Sequence, residues 1–542
     1  MGPKWGRGLR ARLVVSCAAA AILAAACGGG GNSGSGGSPA SSVKAVSGGT
    51  ITIRGNRDFD TWDPATCTTC REYASAFYAT LLALDAGGKI VPYLAKSYTA
   101  TATSITFKLR TDATCADGTP VTPTVVKSSL QRMIDIKAAN NTALFGPGPY
   151  TVSGDDGAGT VTFSVGKAFS DLVYGFTQLD PGLQTGIVCP AGLKDPKGLA
   201  TTPQGAGPYT LVDAVHGDHI TVRLRSDFTW GPEGVTAKTP GVPATITYKE
   251  VTNQTTAANL ILSGGIDAGT VTGPDVNRLL ADPSVVSQRI QLYLANPLVF
   301  NQLPGHATAD PAVREALATA IDPKAVLAAL GGARYGINTS SFETSSAQCY
   351  DGGTSKLLPQ PGLDRAKSIL TRAGYTLSDG KMTKDGKPLT ITYAQGHDFD
   401  PVPDYLIKQW SDLGVTVTSN VTDTSTWISG ALLPGNYDVT ILQVNGTAPL
   451  PAKLASRLSG PPQVPNYARI ADPVLDQEYA AAEASTGADS CRHWASFQEE
   501  LLKNHDYVPL VAQTSYWFGK GGVDMSQAST ALSFLLRVVS KS

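Results

Sequence analysis

Ser104-Ile-Thr-Phe-Lys-Leu-Arg110, then Asp117-Gly-Thr-Pro120, then Thr122 opening a run to Met133, reads as strand, turn and helix in one short passage. Ile105, Phe107 and Leu109 alternate with Thr106 and Lys108, the period of a half-buried strand. Asp-Gly-x-Pro is turn chemistry, and Thr122 is a residue whose hydroxyl caps a helix. The same punctuation recurs on both sides. Gly49–Ile53 predicts an opening strand, and Phe77, Leu81 and Leu82 predict a helix over Ala74–Leu84 that ends near Asp85. Tyr209–Val215 and His219–Leu224 predict a hairpin about Gly217-Asp218. Val313–Leu330 predicts helix, entered at Asp310-Pro311 and interrupted at Asp322-Pro323. Further on, helices are expected over 364–373, Tyr405–Leu413 and Arg492–Asn504. Strands are expected over Leu389–Tyr393, Val415–Val417 and Tyr437–Leu442, and from Tyr507-Val-Pro-Leu-Val511 onward. The fold class is mixed α/β, with the two element types interspersed in an α+β manner.

Composition sets the scale. A chain of 542 residues with 42% hydrophobic content has room for about three domains, or two unequal lobes. Only 16% of residues are charged, while 57 are Gly and 35 Pro, so turns abound and long solvated helices do not. Fourteen Phe, 19 Tyr and 7 Trp spread through the length exclude disorder. Basic and acidic residues nearly cancel, 43 against 44, which gives no footprint for a nucleic-acid partner.

The N-terminus sets the compartment. Lys4, Arg7, Arg10 and Arg12 precede a small, apolar run from Leu13 to Ala26. That run is shorter than the about 20 residues a membrane-spanning helix needs, and residues 1–26 read as a signal peptide. Leu23-Ala24-Ala25-Ala26-Cys27 resembles a bacterial lipobox, so Cys27 is the expected lipidation site. Val14-Val15-Ser16-Cys17 also resembles one, but cleavage there leaves almost no apolar segment. Residues 27–49 follow as the lipidated Cys and a Gly/Ser tether with a root-mean-square span of roughly 25 Å. No later stretch is apolar enough to span a bilayer. The expectation is an extracytoplasmic protein, lipid-anchored to the bacterial cell membrane at the cell surface or in the periplasm.

Cys67, Cys70, Cys115, Cys189, Cys349 and Cys491 form an even set in an oxidising compartment, with fifteen complete pairings open to them. Cys67-Thr-Thr-Cys70 lacks the second pair or the His ligands that zinc requires. His216 and His219 fall around a Gly-containing turn and read as solvated. No metal site and no cofactor is expected. Catalytic machinery is equally hard to find: there is no Gly-x-Ser-x-Gly, no His-Glu-x-x-His and no phosphate loop. Ser-x-x-Lys at Ser41–Lys44 and Ser164–Lys167 is too loose a pattern to count, so no catalytic residues are assigned and the chain is not read as an enzyme.

Several blocks, in order, resemble the extracytoplasmic solute-binding proteins of family 5, the peptide and nickel receptors of ABC importers. Trp62-Asp63-Pro64 resembles the family's Leu-Asp-Pro, and Gly88–Tyr98 its G-x-x-x-P-x-L-A-x-x-W. Ile105–Arg110, Asp117–Thr122 and Ser129–Arg132 resemble Y-T-F-x-L-R, D-G-x-P-x-T and S-x-x-R. Gly205-Ala-Gly-Pro-Tyr209, Leu262–Asp267 and Val313–Asp322 follow, the last resembling V-R-x-A-L-x-x-A-I-D. Ala366–Tyr375, Leu413–Val417 and Tyr437-Asp438 complete the order, so the resemblance runs from about residue 50 to 520.

The resemblance implies a two-lobed, periplasmic-binding-protein-like fold of the type II, Venus-flytrap kind. Lobe one would be 50–70, 203–296 and 510–542, with an inserted subdomain at 71–202, and lobe two 297–509. It implies a monomer that grips a small-molecule or peptide-like ligand between lobes and delivers it to ABC permease transmembrane subunits. The alternative is a sensor that signals through a partner. In peptide-binding members the strand corresponding to Tyr437–Leu442 leads into a segment with Trp and Asp. Here the segment is Gln443-Val-Asn-Gly-Thr-Ala-Pro449, with neither. Gln443 and Asn445 therefore suit amide carbonyls, hydroxyls or a blocked terminus, which points to a peptide-like, amide-rich or oligosaccharide solute. Trp427 offers a stacking face. Thr68, Thr69 and Tyr73, after the first strand, are expected contacts, with Asn301 and Tyr516 near the crossovers.

Overall fold

A computed structural model describes residues 44–542 except 57, 68–70, 86–87, 138–140, 147, 178, 181–182, 274, 292, 346, 348, 397–398, 400–401, 423, 443, 445–450, 460–465, 527–534 and 541–542. The chain divides into two units, 1–42 and 43–542. The first lies outside the described residues, and with it the expected signal peptide and Cys27.

The second unit is organised by one strand, Tyr507–Lys520, which belongs to a 12-stranded sheet. Its first residues pair antiparallel with Asn296–Phe300, Val299 facing Tyr507 and Asn296 facing Val511. Its last residues pair with Ala268–Thr270 and with Val285–Gln291, where Val285 faces Lys520. From the second end the sheet continues through Thr50–Gly55, Thr245–Glu250, His219–Leu224 and Tyr209–Val215. From the first it continues through Val439–Ile441, Thr390–Gly396 and Thr416–Thr422. Thr50–Gly55 runs parallel to Thr245–Glu250, and Thr390–Gly396 parallel to Thr416–Thr422, so each half carries the crossover pairing of an α/β layer.

The long strand also divides the interior. Alternate side chains of a strand point to opposite faces. Tyr516 and Phe518 enter one apolar cluster with Ile261 and Leu279, while Trp517 enters another with Ile51, Ile53 and Phe107. At the other end Val508 and Leu510 pack with Leu317, Leu370 and Trp410. Tyr507 packs with Phe342, Trp494 and Phe497. Each half of the sheet thus has a core on both faces.

The quoted strand–turn–helix passage forms as read. Ser104–Leu109 is an inner strand of a separate four-stranded sheet with Ala95–Ala100, Thr160–Val165 and Tyr150–Asp155. The Pro123–Asp135 helix is capped by Thr122, whose hydroxyl accepts from the Val125 amide at 3.4 Å. Two of the sequence blocks meet here, because Arg132 Nη1 donates to Asp63 Oδ1 at 2.9 Å in a shielded bidentate pair. The hairpin about Gly217-Asp218 is present, and so is the interruption at Asp322-Pro323. Pro311–Thr319 and Pro323–Ala329 are separate helices, capped by Asp310 and Asp322.

One element differs. Helix covers only Arg71–Phe77, and Leu82–Leu84 is a strand paired with Ile90–Pro92. The helical spacing over Ala74–Leu84 was ambiguous because every residue from Tyr73 to Ala83 is buried, and a segment covered on all sides carries no periodic signal. Among the cysteines, Cys115 bonds to Cys189 and Cys349 to Cys491. Cys67 is also disulfide-bonded.

Candidate functional site

The segment that precedes Gln443 is fixed by a chain of polar contacts inside the sheet. Trp427 Nε1 donates to Thr440 Oγ1 at 3.2 Å, and Thr440 Oγ1 donates to Gln395 Oε1 at 3.3 Å. Gln395 Oε1 also accepts from the Ile441 amide at 2.8 Å. Three residues past the strand Val439–Ile441, the Val444 amide donates to Asn296 Oδ1 at 2.7 Å. Asn296 is buried, and its Nδ2 has no partner among the described residues. A buried amide donor without an acceptor is costly, so it marks a place where a bound group can be received. Sequence reading missed Asn296 because it lies inside an apolar strand, Asn-Pro-Leu-Val-Phe, and has no motif.

The expected contact residues fall as follows. Thr68, Thr69, Gln443 and Asn445 lie outside the described residues. Tyr73 is buried edge-to-face against Trp62 and Tyr248. Asn301 is fully buried, and its Nδ2 donates to the carbonyls of Gly435 (2.8 Å) and Tyr437 (3.0 Å). Tyr516 stacks on Phe518 with ring centroids 5.5 Å apart. Trp427 is buried in the same cluster as Val444 and Leu294. Trp427, Asn296 and the strand before Gln443 are therefore brought together, whereas Tyr73 and Tyr516 sit in other clusters. Asp438, of the Tyr437-Asp438 block, is a structural fastener. Its carboxylate accepts from the Thr392 and Ala307 amides at 2.7 and 3.1 Å and pairs with His306 Nδ1 at 3.1 Å.

Beside Asn296 runs a seam between two parts of the chain distant in sequence. The Thr344 amide donates to the Tyr293 carbonyl and Ala295 to the Phe342 carbonyl, which sets Glu343 against the strand leading to Asn296. Ser170 Oγ reaches Glu483 Oε1 at 3.5 Å, and the Ala452 amide reaches Asp171. Asp171, Glu343 and Glu483 are 6%, 0% and 8% exposed. Burial pushes Asp171 up to about 7 despite help from Ser170. Burial, then the facing charge of Asp171, pushes Glu343 up to about 8, with a hydrogen bond from the Cys349 backbone opposing. Glu483 rises well above the usual carboxylate range for the same two reasons.

Among the described residues no group of His, Cys, Asp or Glu is placed to hold a metal ion, and no helix is long and apolar enough to cross a membrane. His216 pairs with Asp58, and His219 lies between Asp213 and Asp218. A cavity of about 500 Å³ opens elsewhere, lined by Gln302, Arg314, Glu315, Asp472, Lys503 and His505.

Residues 89–466 match the family described as bacterial extracellular solute-binding proteins, family 5 Middle. The glutathione-binding protein GsiB of Shigella flexneri serotype 5b (strain 8401) is 28% identical over 349 residues, covering 60% of this chain and 62% of that one. The match thus spans somewhat less than two thirds of that relative. A substrate-binding protein from Microbacterium hydrocarbonoxydans, solved with 4-hydroxybenzoate hydrazide, superposes with a TM-score of 0.70 at 27% identity, over 90% of this chain and 100% of that one. NikA from Brucella suis, solved with Fe(III)-EDTA, gives 0.74 at 20% identity, over 90% and 99%, a likeness of fold alone.

Proposed function

Because the chain belongs to the bacterial extracellular solute-binding proteins of family 5, we propose that it is the capture component of an ABC importer. It takes a small solute between two lobes and hands it unaltered to permease transmembrane subunits. The observation that carries this reading is the single strand Tyr507–Lys520 shared by two half-sheets, each with its own cores. Two bodies joined through so narrow a continuous element can rotate about it, and a ligand that touches both favours the closed arrangement. The lobes are 50–70 with 203–296 and 510–542, and 297–509, with 71–202 as a subdomain of the first. Thr68 and Thr69 serve from one side and Trp427, Gln443 and Asn445 from the other, while Tyr73, Asn301 and Tyr516 act through packing. The solute is peptide-like, amide-rich or an oligosaccharide. The protein acts as a monomer, and no step on the ligand is catalysed.

A thermal-shift screen over blocked and free peptides, oligosaccharides and siderophore-like amides tests this. At about 100 times Kd a true ligand adds ~2.7 kcal/mol of stability. That ligand should also reduce the radius of gyration in solution scattering. If no class shifts melting or shape, or if any compound is turned over, the reading is wrong. The anchor is tested separately. Cys27→Ala should move the protein from the membrane fraction to the medium or periplasm, and retention on membranes refutes lipidation at that residue.

A further inference from the structure

We infer that the turn at 331–336 is a latch between the lobes, a tie that favours their joined arrangement before any solute arrives. The inference rests on the two-lobed part of the reading above and on no property of the ligand.

Residues 331–336 fall within lobe two, and the base of the turn packs there. The helix Pro323–Ala329 leads into it, with Val326 in one cluster with Leu317 and Trp410. Gly336–Asn338 leads out of it, paired antiparallel with Gln513, Ala512 and Val511 of the shared strand. The tip reaches into the other lobe. Tyr335 packs against the cluster that holds Val276, Leu279, Tyr516 and Phe518. Its hydroxyl accepts from Asn277 Nδ2 at 3.1 Å and donates to the Gly273 carbonyl at 3.3 Å. Arg334 Nη1 donates to Asn277 Oδ1 at 3.0 Å, so both polar atoms of one lobe-one side chain are held from lobe two.

The backbone is built for this reach. Gly331 has φ +105°, and a Cβ there would lie 2.2 Å from the Tyr335 ring. A Cβ at Gly336 would lie 2.5 Å from Val511 Cγ1 and 2.7 Å from the Ala512 carbonyl oxygen. Glycine at the first position lets the chain fold back under the ring, and at the second it lets the turn press against the shared strand. The Thr514 amide closes the base by donating to the Tyr335 carbonyl at 2.9 Å.

Residues 511–514 are where the shared strand passes from one half-sheet to the other, Val511 facing Asn296 and Thr514 facing Gln291. The base of the turn is paired to that passage, while the tip grips the helix Asp275–Ala281 of lobe one. Rotation about the passage carries Asn277 away from Arg334 and Tyr335. A tie made at one angle and broken at others favours the angle at which it is made. In this same arrangement Ser170 Oγ meets Glu483 Oε1 across the lobes at 3.5 Å, so the favoured angle is the one with the lobes together. Apparent affinity for a solute that needs the joined form scales with the population of that form, so the latch sets part of the affinity without touching the solute.

Small-angle scattering from the full mature chain without ligand tests the latch. Asn277→Ala, at an exposed position, should raise the radius of gyration, because the ratio of separated to joined lobes rises about fivefold on losing two ordinary hydrogen bonds. Tyr335→Phe keeps the ring and should give a smaller rise, and Tyr335→Ala a larger one. Asn277→Asp offers Arg334 a carboxylate in place of the amide and should hold the parent's value. Far-UV circular dichroism equal to the parent's separates opening from unfolding, and if Tyr335→Ala does not fold, Asn277→Ala and Tyr335→Phe carry the test. A radius of gyration that stays at the parent's value in both of these overturns the latch while the receptor reading stands. A solute screen without a hit counts against the receptor reading alone, since the scattering comparison needs no ligand.

Discussion

Stability of the ligand-free protein should fall as pH is raised from about 5 to about 9. In an unfolded chain Asp and Glu ionise near 4. In the folded protein Asp171 holds its proton to about 7, Glu343 to about 8 and Asp506 to about 6, and Glu483 is raised too. Between those limits the native state binds protons that the unfolded state releases, so their contribution is complete below pH 4 and disappears as pH climbs through 6 to 8. Among the described residues the groups facing the seam carboxylates are one another, Ser170, Tyr174, Tyr479 and the backbone of Cys349 and Ala452, none of them a cation. Asp112 and Asp117, whose pKa values are lowered, complete their titration below this window. His505, lowered by burial, works the other way. Because the seam carboxylates share one repulsion, their joint effect is of the order of 4 kcal/mol rather than the sum of separate shifts. Denaturant unfolding at pH 5, 7 and 9 measures it. Glu343→Gln should flatten the upper part of the curve, and stability that rises from pH 5 to 9 contradicts the seam as described.

Arg314→Met should cost about 3–5 kcal/mol, the range for removing one partner of a buried pair. Arg314 Nη2 meets Asp506 Oδ1 at 3.0 Å, the two side chains being 6% and 3% exposed. Its guanidinium also donates to the carbonyls of Thr308, Ala309 and Asn504 at 3.1, 3.2 and 3.1 Å. The substitution leaves three carbonyls and a buried carboxylate short of donors, with Gln302 Nε2 at 2.8 Å still serving Asp506. Burial pushes Asp506 up and Arg314 down, so desolvation outweighs the attraction between them. A paired replacement, Arg314→Met with Asp506→Leu, should therefore recover much of the loss. A single-variant cost below about 1 kcal/mol in denaturant unfolding would show that the pair does not anchor the turn into Tyr507.

The fold was legible where local chemistry and burial agree. Thr122, Asp310 and Asp322 announce helix starts because a short polar side chain before Pro or an apolar run has one favourable use. The segment from Tyr73 to Ala83 was not legible, since complete burial erases the contrast on which periodicity depends. The candidate site was read only in part. Trp427 and the strand before Gln443 were reached through resemblance, but Asn296 and the acidic seam were not. Asp171, Glu343 and Glu483 are scattered over three hundred residues, and only folding makes them neighbours. Glu483 alone left a trace: it shares the buried face of its helix with Leu475, Tyr479 and Ala482, an acid where an apolar residue belongs.

The shared strand also sets an order of assembly. Thr50–Gly55 and Ala268–Thr270 touch at a single register position, Ile53 with Ala268, and Asn296–Phe300 is the only partner of Val439–Ile441 on its side. Neither half can close its interior until residues 507–520 have left the ribosome. The two halves therefore lock in one cooperative step, and neither is expected to fold as a fragment that lacks this segment.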